Sequence, residues 1–142
     1  MSIKQLSVSL ANVPGAFATI SELLGREGVN IRAISVADTS DISTVRFVVD
    51  DHDKARNILT GGGYDPKEVE VLAVEIPDHP GSVLAVLKPL KTAGINVHYL
   101  YPHFGHIDGN AIVILGVDRT AEAEKVLADN WVTTHGPEVY HI

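Results

Sequence analysis

The residues with the clearest chemical potential lie in a turn that occurs twice along the chain. Asn12-Val-Pro-Gly15 recurs as Asp78-His-Pro-Gly81, and each Pro-Gly pair is followed by residues with helical apolar spacing. The first N–H groups of a helix lack acceptors within the helix and, together with the helix dipole, favour an anion. The N–H groups of Ala16-Phe17 and of Ser82-Val83 are therefore predicted to favour a small anion such as a carboxylate.

Asparagine side chains lie close to these turns. Asn12 precedes the first turn, and Asn30 and Asn96 begin the next predicted strand of each copy, where their amides can reach the same edge. An amide both donates and accepts, so these groups could orient the α-carboxylate and α-ammonium ends of an amino acid. A purely structural interpretation stays open, because Asn and Asp are common helix caps and Pro-Gly is a common turn former.

A second group of residues suggests metal chemistry instead. His98, His103 and His106 are close in sequence and, with Asp108, could ligate zinc or nickel. The alternative is a polar hairpin loop, since the spacing matches no metal motif. No serine has a histidine partner at a recognisable motif spacing, which favours a protein that is not an enzyme.

The turns belong to a longer internal repeat. Gly28-Val-Asn-Ile31 recurs as Gly94-Ile-Asn-Val97 at an offset of 94 − 28 = 66, the same offset as the prolines of the turns, 80 − 14 = 66. Ala55 recurs as Ala123 at 123 − 55 = 68, so the second copy has two extra residues, which we place in a loop at Pro102–Asn110. The sequence predicts two domains, residues 1–70 and 71–142.

Each half shows the element order βαββαβ. Leu6, Val8 and Leu10 alternate with polar residues as in a strand, and Ile20 and Leu24 have helical spacing. The predicted fold is α+β: two ferredoxin-like units, each an antiparallel sheet with both helices on one face, packed side by side. Pro89 is expected to kink or shorten the first helix of the second half.

The two halves join without an evident linker. No Gly or Pro interrupts Glu68–Ile76, which contains the end of one half and the start of the other. We therefore hypothesise that terminal strands are exchanged, so that Glu68–Val71 completes the sheet of the second half and Glu138–Ile142 that of the first.

Composition excludes several classes of protein. The 142 residues carry a formal charge of −7, which disfavours binding to nucleic acid. The absence of cysteine excludes disulfides, a thiol nucleophile and a thiolate zinc site. The alternating N-terminal sequence lacks a signal-peptide h-region and no apolar run is long enough for a membrane span, so a soluble, cytoplasmic protein without a cofactor is expected.

These motifs resemble those of the ACT domain, a small ligand-binding regulatory module. The resemblance lies in Leu10-Ala-Asn-Val-Pro-Gly-Ala-Phe-Ala18 with Gly28-Val-Asn-Ile31, and in Pro77-Asp-His-Pro-Gly-Ser-Val-Leu84 with Ala93-Gly-Ile-Asn-Val97. It covers nearly the whole chain as a tandem pair. The turn Ala37–Asp41 followed by Val45-Arg46 is similar to one group of free-standing two-ACT proteins.

The resemblance implies a regulatory or sensor protein that binds an amino acid where two ACT units meet, with a metabolic enzyme as a regulated partner. A homodimer is a possible assembly, because small units with exposed sheet edges often pair into symmetric dimers. Apolar Ile31, Ala33 and Val97 favour an aliphatic or aromatic ligand side chain. Asp78 replaces the turn asparagine, and its carboxylate would repel a ligand carboxylate, so the first repeat is expected to hold the better site. The residues implied in ligand binding are Asn12, Val13, Pro14, Gly15, Ala16, Phe17, Asn30 and Ile31, and Asp78, His79, Pro80, Gly81, Ser82, Asn96 and Val97.

Overall fold

The computed structural model describes all residues from Met1 to Ile142. The chain divides into two compact units, which we call the N-terminal unit (Lys4–Val69) and the C-terminal unit (Glu70–Ile142 together with Met1–Ile3). No helix is long and apolar enough to cross a membrane.

The N-terminal unit has an antiparallel sheet in the strand order β1 (Ile3–Ala11), β3 (Ile42–Val49) and β2 (Ile31–Asp38), with β3 antiparallel to both neighbours. This is the split βαβ arrangement expected of a ferredoxin-like unit. Its elements are β1 (Ile3–Ala11), α1 (Ala16–Arg26), β2 (Ile31–Asp38), β3 (Ile42–Val49) and α2 (His52–Gly61), followed by the start of β4 (Lys67–Ile76).

The core of this unit follows from the sequence pattern. The alternating residues of β1 and β3 meet the helical stripe of α1 and α2 in one apolar cluster, so burial of these side chains holds the helices on the sheet. Asp51 caps α2, because its carboxylate accepts a hydrogen bond from the Lys54 N–H at 3.2 Å. The buried members of the cluster include Leu6, Val8, Leu10, Ile20, Leu24, Val45, Phe47, Val49, Ala55 and Leu59.

The C-terminal unit repeats this plan with the antiparallel strand order β5-β6-β4-β7. Its core again joins alternating strand residues to helical stripes, including Leu72, Val74, Val86, Leu90, Leu115, Ala123 and Leu127. The α+β fold class is therefore confirmed for each unit. The elements after β4 are α3 (Ser82–Thr92), β5 (Val97–Ile107), β6 (Asn110–Val117), α4 (Thr120–Asp129), β7 (Thr134–His135) and a 3₁₀ turn (Pro137–Tyr140).

The predicted loop at Pro102–Asn110 is wrong, because β5 continues to Ile107. The pairing of β5 with β6 shifts between Pro102 and His106, where β5 advances by four residues and β6 by two. The hairpin turns at Asp108 and Gly109, whose φ angles are 50° and 79°. An Asp-Gly pair with both φ angles positive is typical of a two-residue hairpin turn.

The prediction for the C-terminal strand is also wrong, and of the two effects expected of Pro89 the shortening of the helix does not occur. Thr134–His135, not Glu138–Ile142, forms the last strand, and it pairs with Ala73 and Val74 of its own unit, so the strand-exchange hypothesis fails. Pro137 cannot donate to a sheet and instead begins the 3₁₀ turn. Helix α3 contains Pro89 but has 11 residues, as many as α1.

All four helices end in the same backbone geometry, a residue with positive φ just beyond the helix. For α4 this residue is Trp131 (φ 64°), and the Trp131 N–H bonds to Ala128 O at 3.2 Å while the Val132 N–H bonds to Leu127 O at 3.0 Å. This pair of bonds defines the Schellman motif, in which glycine is the usual residue. Glycine occupies the position after the other three helices, at Gly28, Gly63 and Gly94.

Candidate functional site

In the N-terminal unit, the turn between β1 and α1 is fixed by its first residue. The Asn12 N–H donates to Asp41 O at 2.9 Å, and the Asn12 side-chain amide donates to Thr39 O at 3.2 Å. Both acceptors lie in the β2–β3 connection. Gly15 then takes a left-handed conformation (φ 83°), which brings the chain into α1. Asn12 thus positions the turn and keeps one amide N–H and its oxygen available.

The start of α1 is an open donor site. The Ala16 N–H reaches Val13 O at 3.3 Å, while the N–H groups of Phe17 and Ala18 have no acceptor in the chain. No side chain caps the helix at Gly15. Unpaired N–H groups at a helix start attract a carboxylate through hydrogen bonds and the helix dipole.

Asn30 and Asn96 occupy matching positions, each held by an aspartate that the sequence analysis did not single out. The Asn30 N–H donates to Asp50 Oδ1 at 2.9 Å, and the Asp50 N–H donates back to Asn30 O at 3.0 Å. Asn96 and Asp118 make the same two bonds, both at 3.2 Å. The sequence contains a signal for these two aspartates, because Asp50 and Asp118 are separated by the repeat offset of 118 − 50 = 68. The exposed Asn30 side chain has no partner in the chain, whereas the Asn96 amide lies 3.3 Å from His98 Nδ1.

The turn between β4 and α3 in the C-terminal unit has the same backbone but different side chains. Gly81 is again left-handed (φ 87°), and the N–H groups of Val83 and Leu84 have no acceptor. Asp78 is exposed and makes no hydrogen bond or ion pair, so this turn lacks the side-chain tie that Asn12 provides. The His79 Nδ1 atom lies 3.0 Å from Pro80 O and must carry the proton, because a carbonyl oxygen only accepts.

The apolar residues beside the two turns serve the cores of their own units. Ile31 and Val97 are half-buried and pack against these cores, and Ala33 is fully buried. The expectation of an aliphatic or aromatic ligand was based on these three side chains. Because they pack within their own units, they no longer support that expectation.

The histidines of β5 do not form a metal site. His103 is buried, its Nε2 donates to Val139 O at 2.7 Å and its Nδ1 accepts from the Gly105 N–H at 2.8 Å, so both ring nitrogens are occupied. His98 contacts Asn96, and His106 is exposed without a partner. The three histidines therefore do not supply the ligands that the metalloprotein alternative needs. His103 instead holds the C-terminal segment through its hydrogen bond to Val139 O.

One other cluster has the spacing of metal ligands, at the surface of the N-terminal unit. The ligand atoms of His52, Asp53 and Glu68 lie within 4.8 Å of one another. Glu68 Oε1, however, also has Lys4 Nζ and Arg56 Nη1 at 3.6 Å. Chiefly its hydrogen bond with His52 holds the pKa of Glu68 below the ordinary 4.5. Two cations beside the carboxylate disfavour a divalent metal, so this cluster is an ion-pair network.

A second carboxylate is embedded in hydrogen bonds at the end of β4. Glu75 accepts from the Asn110 amide and from His135 Nε2, each at 2.8 Å, and the Asn110 bond is the main cause of its lowered pKa. Only 19% of its side chain is exposed. Glu75 is therefore anionic at neutral pH, and sequence reasoning gave it no role.

A family model described as an ACT domain pair matches residues 1–135. The chain belongs to the ACT domain family. The resemblance seen in the two turns is thus confirmed over nearly the whole length. A search of curated proteins finds no match.

Solved structures support the same fold for this ACT protein. Protein BT0572 from Bacteroides thetaiotaomicron matches with a TM-score of 0.91 and 26% identity, over 100% of this chain and 98% of that one. The regulatory subunit of aspartate kinase from Thermus thermophilus matches with a TM-score of 0.64 and 14% identity, over 90% and 91% of the two chains. At that identity the second likeness concerns the fold alone.

Proposed function

We propose that this ACT protein is an amino-acid-binding regulatory or sensor protein and not an enzyme, with its better ligand site at the β1–α1 turn. The ligand carboxylate accepts hydrogen bonds from the N–H groups of Phe17 and Ala18. The remaining amide N–H and the oxygen of Asn12, and the unpaired Asn30 amide, are available to orient the ligand. Binding then changes the regulation of a metabolic enzyme in trans.

One observation carries this proposal: the open helix start is built in the same way in both repeats of a chain that belongs to the ACT domain family. The turns differ at one residue, and the unpaired Asp78 carboxylate supports weaker carboxylate binding in the second repeat. The side-by-side packing of the repeats, a ligand at their interface, a homodimer and a cytoplasmic location stay predictions.

The test is equilibrium dialysis against the twenty amino acids, followed by calorimetry with the one that binds. Asn12→Ala is expected to weaken binding by ~1–3 kcal/mol, the usual scale for a hydrogen bond to a charged group. Asn57→Ala is the matched control, because Asn57 is exposed on α2 and makes no side-chain hydrogen bond. Asp78→Ala is expected to have a smaller effect than Asn12→Ala.

The role of the ligand carboxylate is tested by changing the ligand instead of the protein. The primary amide of the same amino acid keeps the side chain and the ammonium group but removes the negative charge, so it is expected to bind much more weakly. Equal affinity for acid and amide would contradict the assignment of the helix start. Selective binding of none of the twenty amino acids would contradict the proposed function as a whole.

A further inference from the structure

A cleft of about 360 Å³ lies in the C-terminal unit, between the start of α3 and the segment that joins α4 to β7. Its size falls at the lower end of small-molecule sites. It shares Ser82 and His79 with the second turn, and it is also lined by Asn130–Thr133, Glu75 and Asn110. None of these latter residues was implied in amino-acid binding.

One residue that lines this cleft has an aromatic side chain that is almost fully exposed. Trp131, the single tryptophan, is 95% exposed, so it contributes almost no packing. It also occupies the left-handed position at which the other three helices have glycine. A bulky residue in this conformation is an outlier and is strained. Its repeat partner is Gly63, since 131 − 63 = 68.

The wall of the cleft contains a polar side chain with no partner. Ser82 is 8% exposed, and its hydroxyl makes no hydrogen bond within the chain. The hydroxyl oxygen is open to the cleft, where it can bond to water or to a ligand. This hydroxyl and the exposed indole are independent features of the same cleft.

The charges and hydrogen-bonding groups of the cleft favour a cation. Glu75 contributes a carboxylate, and no Lys or Arg lines the cleft. His79, with its proton on Nδ1, presents Nε2 as an acceptor, and Asn130, whose Nδ2 donates to Val126 O at 2.8 Å, retains its amide oxygen. His135, the titratable partner of Glu75, also lies 3.2 Å from Glu138 Oε1, so it faces two carboxylates.

We infer that this cleft binds a small organic cation of the guanidinium class, whose planar group stacks on the indole of Trp131 and is hydrogen-bonded by Glu75 and Ser82. An aromatic face attracts a cation through its quadrupole, and a guanidinium stacks on it more readily than an ammonium does. The ligand needs no carboxylate, so this site is independent of the amino-acid site proposed at the β1–α1 turn.

The test compares n-butylguanidinium with n-butylurea, which has the same shape and no charge, by titration of the Trp131 emission in the wild-type chain. We expect saturable binding of the guanidinium and an affinity for the urea about tenfold lower, within the range of cation–π and charged hydrogen-bond contributions. Equal affinities, or no saturation up to tens of millimolar, would overturn the inference.

Calorimetry with n-butylguanidinium then measures the affinity of variants at the residues proposed to bind it. Trp131→Gly and Glu75→Gln are each expected to lower the affinity by about tenfold, whereas Trp131→Phe retains part of it because the ring is kept. Unchanged affinity in Trp131→Gly would place the cation elsewhere. A Trp131→Gly chain that melts no lower than wild type excludes misfolding as the cause.

The two proposals fail separately. Asn12→Ala is expected to leave n-butylguanidinium binding unchanged, and Trp131→Gly to leave amino-acid binding unchanged. Loss of cation binding in Asn12→Ala would show that both ligands use one site and would overturn the independent cleft.

Discussion

Replacing Trp131 with glycine is expected to make the protein more stable, although it removes the largest side chain in the sequence. The residue holds a left-handed backbone at the end of α4 (φ 64°), where a side chain with a Cβ costs about 1–2 kcal/mol. Glycine adopts this conformation without strain but loses more chain entropy on folding, about 0.5–1 kcal/mol. The indole is 95% exposed, so its removal leaves no cavity.

The difference between these two contributions is a gain of about 0.5–1 kcal/mol in the free energy of unfolding. For a chain of this length it corresponds to a rise in Tm of about 2–4 °C. The assay is thermal unfolding followed by far-ultraviolet circular dichroism at fixed protein concentration.

The repeat supplies the opposite substitution as a control. Gly63 ends α2 in the same geometry (φ 89°), and a Cβ built there meets no atom within 4 Å. Gly63→Trp is therefore expected to lower the stability by a similar amount through backbone strain alone. If Trp131→Gly melts at or below the wild-type temperature, or if Gly63→Trp is neutral, strain at this position is not the reason.

Further predictions concern packing, acid stability and the buried histidine. Gly116→Ala is expected to cost ~1–3 kcal/mol in urea unfolding, because its Cβ would overlap the ring of Tyr99; an unchanged unfolding midpoint would contradict this. Glu68 has a folded pKa lowered chiefly by His52, so its stabilisation is present above the ordinary pKa of 4.5 and is lost as pH falls through the lower folded value. Glu68→Gln should thus flatten the fall of Tm below pH 4.5, and an identical acid limb would count against the ion-pair network. His103→Ala is expected to destabilise by about 2–4 kcal/mol, since it leaves the buried Val139 O and the partly buried Gly105 N–H unpaired, and amide exchange should report loss of protection in the C-terminal segment.

The sequence predicted structure best where neighbouring residues alone determine the backbone conformation. Pro-Gly pairs predicted both helix starts, because a left-handed Gly15 or Gly81 is needed to turn a strand into a helix there. Alternation predicted the strands of both cores, since one face of each sheet packs against the helices.

The sequence misled where polar residues and proline suggested a loop. The stretch after Tyr101 contains Pro102 and two histidines, yet β5 continues to Ile107 with a register shift against β6 between Pro102 and His106. The true turn signal was Asp108-Gly109, which lies further along the same stretch.

The candidate site could be predicted only in part. The turn residues were found from their repetition, but the partners that hold them come from distant positions: Asn12 is tied to the β2–β3 connection and Asn30 to Asp50. Such long-range bonds leave no local pattern in the sequence. Trp131 was overlooked for the same reason, because its position opposite Gly63 has meaning only once the helix ends are known.

The exposure of Trp131 also decides what its light emission can report. The only indole is already surrounded by water in the native chain, so unfolding changes its surroundings very little and a denaturation curve followed by tryptophan emission should be nearly flat. A molecule that covers the ring changes those surroundings at once. One sample can therefore give occupancy from emission and the extent of folding from dichroism, as two independent optical signals.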